Sequence, residues 1–275
     1  MLRDFSEARL NNDKDGDKPL LVVENVTVRF GGIVALNGVS FDVRRGEIRG
    51  LIGPNGAGKS TLFNCLSRLY RCDAGAIYFD GAVLSEQKRH RVAAMGVGRT
   101  FQNLALFRTM TVRENVLIGA HARHHAGFLH DALRLPGAAR AERAALELAD
   151  QALELLGLQA LAGKTVADLP FGTQKRVELA RALTCEPALL LLDEPACGLN
   201  HEELSGLGDL ILDIRDRLKL TVLLVEHHMG LVMGVCDRIV ALNFGRKIAD
   251  GTPAEVRNHP DVISAYLGAE EEVPA

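Results

Sequence analysis

The stretch GPNGAGKS, from Gly53 to Ser60, decides the fold of this 275-residue chain. It fits the pattern GxxxxGK[ST], which a chain of this length would match by chance in roughly 1 case in 100. A strand-like run, EIRGLI, precedes the stretch, and an amphipathic helical run, STLFNCLSRL, follows it. This order of strand, glycine-rich turn and helix predicts a phosphate-binding loop at a helix N-terminus, rather than a turn that only joins two elements.

The residues of this loop predict a site for the phosphates of a nucleotide and for Mg²⁺. The glycines let the backbone curl closely around phosphate oxygens, and the free N–H groups at the helix start supply a positive field. Lys59 is expected to bridge the outer phosphates, the Ser60 hydroxyl to ligate Mg²⁺ and the Thr61 hydroxyl to contact an inner phosphate. The predicted loop residues are Gly53, Pro54, Asn55, Gly56, Ala57, Gly58, Lys59, Ser60 and Thr61.

Two later runs end in residues that can carry chemistry. LLLLDEP is typical of a buried strand with Asp193 and Glu194 at its C-terminal end. TVLLVEHH is typical of a second such strand that ends at His227, and His228, one residue on, is the alternative candidate for the same role. Ligands bind at this edge of an open parallel sheet. We expect Asp193 to hold Mg²⁺, Glu194 to polarise the attacking water and His227 to sense the γ-phosphate. The alternative for the acid pair is a helix cap before Pro195.

Two polar features stay ambiguous at this level. Gln102, in RTFQNLALF, could orient water, complete a Mg²⁺ shell or be a plain surface residue, and its spacing alone does not choose. The run HARHHAGFLH could hold a metal, but no carboxylate or cysteine completes a convincing ligand set, so a solvated helical face is favoured. Its histidines are His121, His124, His125 and His130.

The composition is typical of a soluble globular protein. Hydrophobic residues make up 47% and charged residues 24% of the chain, and its length suits one large α/β domain or two small ones. The net charge of −3 provides no basic stripe for nucleic acid. No apolar run approaches the roughly 20 residues of a membrane-spanning helix. The five cysteines include no CxxC pair, which predicts reduced thiols.

Alternating buried strands and helices predict an α/β fold with a mainly parallel core sheet. Three strand-like runs before the first helix indicate an antiparallel β subdomain, and the Ala/Leu-rich stretch from Val112 to Leu161 indicates an inserted helical subdomain. AIYFDGAV and IVALNFGRKIADG are predicted hairpins. The predicted organisation is a flexible tail at 1–19, a nucleotide-binding domain at 20–268 with a helical subdomain at about 103–180, and a tail at 269–275.

These motifs together resemble the ATP-binding subunit of an ABC transporter, because they follow the family's order: phosphate loop, Gln102, LPFGTQKR, acid pair and His227. The resemblance spans about 20–267 and implies a P-loop NTPase of ABC type. It implies that Phe30 stacks on adenine, and that Gln102 contacts the nucleotide, completes the Mg²⁺ shell and links the site to a membrane partner. The implied catalytic residues are Lys59, Glu194 and His227, and the implied metal ligands are Ser60, Gln102 and Asp193.

The stretch LPFGTQKR, residues 169–176, stands where the family has its LSGGQ signature. Pro170 replaces the serine whose hydroxyl would meet the γ-phosphate, and Phe171 replaces a glycine that permits close backbone approach. Gly172 is retained, and Thr173 offers a hydroxyl that could also cap the helix expected to follow. The resemblance implies that Gly172 and Thr173 contact the nucleotide of a paired ATPase.

Finer features resemble the ATPase subunits of branched-chain amino acid importers, notably EPACGLN, VEHHMGLVMGVCDRI and the tail GTPAEVRNHPDVISAYLG. Asn200, in CGLN, stands where many relatives have Asp. The implied protein is a motor that dimerises on ATP, with a copy of itself or a second ATPase. It would drive two transmembrane permease subunits at the cytoplasmic face of the inner membrane, with an extracytoplasmic solute-binding protein as an indirect partner and no nucleic acid.

Other readings stay open beside this one. Within the family, the solute could be urea or a short amide, or the subunit could serve lipopolysaccharide export. Outside transport, a soluble ABC ATPase acting on ribosomes or DNA is an alternative, although such proteins usually carry two ATPase domains or a long coiled-coil insert. A non-hydrolysing nucleotide switch is disfavoured by Lys59, Asp193, Glu194 and His227.

Overall fold

The computed structural model describes residues 18–102, 104–120 and 136–270. The predicted tails at 1–19 and 269–275 lie almost wholly outside these ranges, and their flexibility stays a prediction. The four histidines of HARHHAGFLH also lie outside the described residues.

The strands form two sheets. Their bounds are β1 Leu21–Phe30, β2 Ile33–Val43, β3 Ile48–Ile52, β4 Ala74–Phe79, β5 Ala82–Val83, β6 Val97–Arg99, β7 Leu189–Asp193, β8 Thr221–Val225, β9 Arg238–Asn243 and β10 Arg246–Gly251. One sheet is antiparallel with the order β2-β1-β4-β5, and the other has the order β10-β9-β3-β8-β7-β6. In the second sheet β9, β3, β8, β7 and β6 run parallel, and β10 returns antiparallel to β9.

Helices cover the core sheet. Their bounds are α1 Lys59–Leu66, α2 Val112–Ala120, α3 Pro136–Leu155, α4 Phe171–Leu183, α5 His201–Leu218, α6 Met229–Val235, α7 Pro253–Arg257 and α8 Pro260–Glu270. Successive residues of β7 face opposite sides: Leu190 joins a cluster with α2 to α6, and Leu191 joins one with α1 and the antiparallel sheet. Because both faces are covered, β3, β7 and β8 are buried at every residue.

The three early strand-like runs divide between the two sheets, which corrects the prediction that all three belong to the β subdomain. β1 and β2 pair in the antiparallel sheet, whereas β3 pairs in parallel with β8 and β9. The reason is burial, because the run Ile48–Ile52 is apolar enough to be covered on both faces, while β1 and β2 keep exposed residues.

Both predicted hairpins are confirmed. β4 and β5 turn through Asp80 and Gly81, with φ of 49° and 75°, and β9 and β10 turn through Phe244 and Gly245, with φ of 44° and 73°. Positive φ at both central residues is the geometry of the tight hairpin turn that fits the twist of the flanking strands.

Helices α2, α3 and α4 lie between β6 and β7 in the chain, and the division of this region as a subdomain at about 103–180 stays a prediction. α2 packs against α3 and α4, and the interface buries residues such as Val116, Leu153 and Val177. α3 spans Pro136–Leu155 in the described chain. No helix within the described ranges is long and apolar enough to cross a membrane.

Candidate active site

The phosphate loop joins β3 to α1 and requires glycine at both of its ends. Gly53 has φ of 150° and Gly58 has φ of 101°. A Cβ at Gly53 would lie 2.2 Å from the carbonyl oxygen of Leu242, and one at Gly58 would lie 2.6 Å from that of Ala35. Both obstacles are backbone atoms, so a side chain at either position would displace the loop.

Lys59 begins α1 and is buried beneath the loop. Its Nζ donates to the carbonyl oxygens of Gly53 at 2.6 Å and Pro54 at 2.9 Å. Burial lowers the pKa of the Lys59 ammonium, while the nearby carboxylates of Glu194 and Asp193 act in the opposite direction. With three donors, the ammonium can exchange carbonyl partners for phosphate oxygens without leaving the loop.

The loop and two of the predicted catalytic residues line one cavity of about 320 Å³. The loop residues 55–61 form one side of it, and Glu194 and His227 reach it from beyond the ends of β7 and β8. The carboxyl ends of neighbouring parallel strands meet at one edge of the sheet, which is where ligands bind in such folds. The structure therefore brings together residues that lie far apart in the sequence.

Glu194 is held between Gln102 and His227. Gln102 Nε2 donates to Glu194 Oε2 at 2.8 Å, and His227 Nε2 lies 2.8 Å from Glu194 Oε1. Glu194 has φ of 49°, an uncommon conformation for a residue with a side chain and one that clusters at functional sites. The helix-cap alternative for the acid pair is wrong, because the next helix begins only at His201. His228 lies at the N-cap position of α6.

Asp193 forms a buried ion pair with Arg99, the last residue of β6. Arg99 Nη2 donates to Asp193 Oδ2 at 2.8 Å, and both side chains are about nine-tenths buried or more. Burial raises the pKa of the Asp193 carboxyl, and Arg99 opposes that effect. The ion pair thus supports the ionised form of a carboxylate that burial alone would tend to protonate.

Arg99 is the functional residue that sequence reasoning missed. Its Nη1 donates to the Phe63 carbonyl at 3.2 Å, to Asn64 Oδ1 at 2.9 Å and to Ser67 Oγ at 2.8 Å. One guanidinium therefore joins the end of α1 to Asp193. The available signal was an arginine at the end of a short, otherwise apolar strand, Val97–Arg99, since a buried charge needs a partner.

The stretch 169–176 forms the start of α4, and Gly172 and Thr173 lie in its first turn. The prediction that Thr173 caps this helix was wrong, because Pro170 takes the N-cap position and no side chain caps the helix. Phe171 stacks under Lys175, whose Nζ lies 5.3 Å from the ring centroid. Gly172 and Thr173 are not among the residues that line the phosphate-loop cavity of this chain.

The CGLN loop packs against the same end of α4. A Cβ at Gly198 would lie 2.9 Å from the Phe171 ring, and one at Gly172 would lie 2.5 Å from Glu203 Oε1. Asn200 caps α5, since its Oδ1 accepts from Glu203 N at 2.9 Å and Glu203 Oε2 accepts from Asn200 N at 3.0 Å. An asparagine caps a helix as well as an aspartate does, which explains how Asn200 is tolerated here.

Phe30 ends β1, outside the set of residues that line the cavity in the described chain. Its ring meets Tyr70 edge to face, with centroids 5.1 Å apart and planes at 71°. The apolar side chains that line the cavity include instead Ile33, Val34 and Phe244. Adenine stacking on Phe30 therefore stays a prediction.

The C-terminal helix α8 contacts the phosphate loop through Tyr266. The Tyr266 hydroxyl accepts a hydrogen bond from the Gly53 N–H at 2.9 Å, and burial raises the pKa of this phenol. A hydrogen bond to Tyr266, which lies 213 positions later in the chain, thus fixes the backbone of Gly53, the first residue of the loop.

Tyr266→Phe is expected to lower the free energy of unfolding by about 1 kcal/mol, because the buried Gly53 N–H loses its acceptor. Urea denaturation followed by circular dichroism measures the change. Tyr78→Phe is the matched control, since the described chain shows no hydrogen bond to the Tyr78 hydroxyl, and it is expected to change stability little. Equal effects of the two substitutions would contradict this role of Tyr266.

Comparisons with known proteins agree with this geometry. An ABC transporter family model matches residues 36–197, and a model described as a branched-chain amino acid ATP-binding cassette transporter matches residues 246–272. The chain is 46% identical over 251 residues to the high-affinity branched-chain amino acid transport ATP-binding protein LivG of Salmonella typhimurium, covering 91% of this chain and 98% of LivG. It is 45% identical over 251 residues to the protein of the same description, BraF, of Pseudomonas aeruginosa, with 91% and 98% covered.

The fold has solved counterparts. The ADP conformation of an ATP-binding cassette of an ABC transporter matches with a TM-score of 0.80 at 30% identity, covering 91% of this chain and 99% of that chain. The predicted ABC-type α/β fold is therefore confirmed. The family model alone covers more than half of the sequence, and ATP-binding subunits of these transporters are ATPases. This chain belongs to the ABC transporter family of ATP-binding proteins.

Proposed function

We propose that this chain is the ATP-hydrolysing motor subunit of an importer for branched-chain amino acids. The observation that carries the catalytic part is Glu194, whose two carboxylate oxygens are held by Gln102 and His227 beside the phosphate loop. A carboxylate fixed in this way, in one cavity with Lys59, is what water attack on a terminal phosphate requires.

Hydrolysis at such a site depends on positioning more than on covalent chemistry. The loop N–H groups and Lys59 hold the phosphates of ATP. Glu194 accepts a hydrogen bond from the attacking water and aligns it with the terminal phosphorus atom. Gln102 and His227 keep the carboxylate from rotating away, and His227 is near enough to the cavity to respond to the γ-phosphate.

The donor set suits Mg²⁺. Ser60 offers a hydroxyl, Asp193 a carboxylate and Gln102 an amide carbonyl, and Mg²⁺ prefers such hard oxygen ligands. Arg99 engages Asp193 Oδ2, which leaves Oδ1 for the ion, and Gln102 donates to Glu194 with its nitrogen, which leaves its oxygen. When bound, the ion neutralises charge on the phosphates.

The position of the signature stretch supports a paired ATPase as partner. Gly172 and Thr173 lie in the first turn of α4 and do not line the cavity that holds Lys59 in this chain, which fits a role at the nucleotide of a second ATPase. The partner is either a second copy or a different ATPase subunit. By this proposal, two transmembrane permease subunits receive the motion through the region of Gln102, and the complex works at the cytoplasmic face of the inner membrane.

The solute is proposed from the relatives' names. LivG and BraF are named for high-affinity branched-chain amino acid transport, and the family model at residues 246–272 carries the same description. This favours leucine, isoleucine and valine over urea, short amides or lipopolysaccharide as the transported solute.

Reconstitution tests the proposal. This chain would be placed in vesicles with permease subunits, a solute-binding protein and any second ATPase from its source organism, and ATP-driven uptake of radiolabelled leucine would be measured. We expect uptake that unlabelled isoleucine and valine compete for and that urea does not. Uptake of urea with no uptake of leucine would overturn the solute, and co-purification with ribosomes instead of permeases would overturn the transport function.

Unequal sites are expected if the partner carries an ordinary LSGGQ signature. Pro170 has no N–H or hydroxyl to offer the partner's nucleotide, whereas the partner's signature would serve the site built from Lys59 and Glu194. Glu194→Gln in this chain should therefore reduce the ATPase rate of the complex more than the same change in the partner. Equal losses measured by phosphate release would refute the asymmetry.

A further inference from the structure

Phe244 sits in a conformation that its residue type does not favour. It occupies the first central position of the β9–β10 turn with φ of 44°, where asparagine and glycine are the preferred residues. The residue is 81% exposed, so burial in this chain does not compensate for the backbone conformation. A bulky residue kept in the left-handed region and in solvent is a reason to look for a binding role.

The turn that carries Phe244 is fixed to the phosphate loop. Gly245 N donates to the Ala57 carbonyl at 3.1 Å, and Asn37 N donates to the Gly245 carbonyl at 2.8 Å. A Cβ at Gly245 would lie 2.6 Å from the Ala35 carbonyl oxygen, so the turn lies against β2 without a gap. The position of the Phe244 backbone is therefore set by two neighbouring segments, the phosphate loop and β2.

Phe244 shares an apolar wall with two residues of β2. Ile33 is 70% and Val34 is 41% exposed, and all three side chains line the cavity whose floor is the phosphate loop. Phosphates occupy the polar end of such a cavity, near Lys59 and Ser60. A nucleotide held there extends its ribose and base away from the loop, and an apolar wall with an aromatic ring is the surface that a planar base prefers.

We infer that Phe244, with Ile33 and Val34, binds the base of the nucleotide whose phosphates lie on the loop. This inference rests on the proposed function, and it adds a second aromatic contact to the one predicted at Phe30. The two aromatics differ in their surroundings, since Phe30 packs edge-on against Tyr70 while Phe244 lines the cavity itself.

Phe244→Asn gives a test in which two readouts move in opposite directions. Asparagine adopts the turn conformation more readily, so the Tm of the variant should rise. The Kd for ATP of the isolated subunit should weaken about tenfold, because the base loses its stacking partner. The Kd for inorganic tripolyphosphate, which has no base, should not change. Calorimetric titration measures both constants. Phe244→Trp, which keeps an aromatic ring at this position, should bind ATP with an affinity close to that of the wild type.

Phe107→Asn is the matched control, since Phe107 is 52% exposed and lies outside the residues that line the cavity. It is expected to leave both constants unchanged. An unchanged Kd for ATP in Phe244→Asn would overturn the inference. This holds even if the substitution alters ATP-dependent dimer formation. Equal weakening of ATP and tripolyphosphate would overturn it too, since that reports a distorted loop. Failure of the wild-type chain to bind either compound would instead overturn the proposed function.

Discussion

Glu194→Gln is expected to lower kcat for ATP hydrolysis by about 10³-fold. Glutamine has the same shape and keeps hydrogen bonds to Gln102 and His227, but its neutral amide cannot accept the proton of the attacking water. The Kd for ATP should stay close to that of wild type, because Lys59 and the loop N–H groups are untouched. Phosphate release gives the rate, and equilibrium binding of a fluorescent ATP analogue gives the affinity.

A matched change elsewhere separates this effect from a general loss of charge. Glu147 is exposed on α3 and is not among the residues that line the cavity, and Glu147→Gln should retain the wild-type rate. A Glu194→Gln variant that hydrolyses ATP as fast as wild type would remove Glu194 from the mechanism. A variant that loses ATP binding as well would assign it a structural role.

Arg99→Met is expected to lower the free energy of unfolding at neutral pH by about 3–5 kcal/mol. The substitution leaves Asp193 buried without its cation, and it also removes the donor that three groups at the end of α1 share. Arg113→Met is the control, because Arg113 and Asp150 form an ion pair in which each side chain is about half exposed. Loss of an exposed pair should cost about 1 kcal/mol or less.

The deficit of Arg99→Met should shrink as the pH falls. Burial already holds the Asp193 pKa above its ordinary value, and removing Arg99 takes away the group that opposes this shift. A carboxyl whose pKa is higher in the folded than in the unfolded state favours folding when it is protonated. The cost of burying its ionised form therefore lowers the free energy of unfolding fully above the folded-state pKa, and this loss disappears below the unfolded-state pKa. Urea denaturation across this pH range measures it. A deficit that stays constant or grows on acidification would contradict the account of the Arg99–Asp193 pair.

The parts of the molecule that the sequence predicts well are those with local patterns. GPNGAGKS specifies its own turn, and the apolar runs before Asp193 and His227 show where buried strands end. Since parallel strands bring their carboxyl ends to one edge, the grouping of the acid pair with His227 at the loop follows from the fold class alone.

The contacts that escaped prediction join residues far apart in the sequence. Arg99 pairs with Asp193, 94 residues later, and Tyr266 accepts a hydrogen bond from Gly53, 213 residues earlier. Local periodicity and motif spacing therefore predict neither contact. Thr173 was misplaced for a different reason. Pro170 occupies the N-cap position, so the helix begins at Phe171 and its first turn includes Thr173.

A crystal structure of the Glu194→Gln variant with ATP and Mg²⁺ would decide whether these residues form one nucleotide site. We expect Lys59 Nζ to have left the carbonyl oxygens of Gly53 and Pro54 for the outer phosphates, with Mg²⁺ between Ser60 and Asp193. The γ-phosphate should face residue 194. A nucleotide bound elsewhere, with Lys59 still on those carbonyl oxygens, would contradict the assignment of the phosphate loop and Glu194 to a single catalytic site.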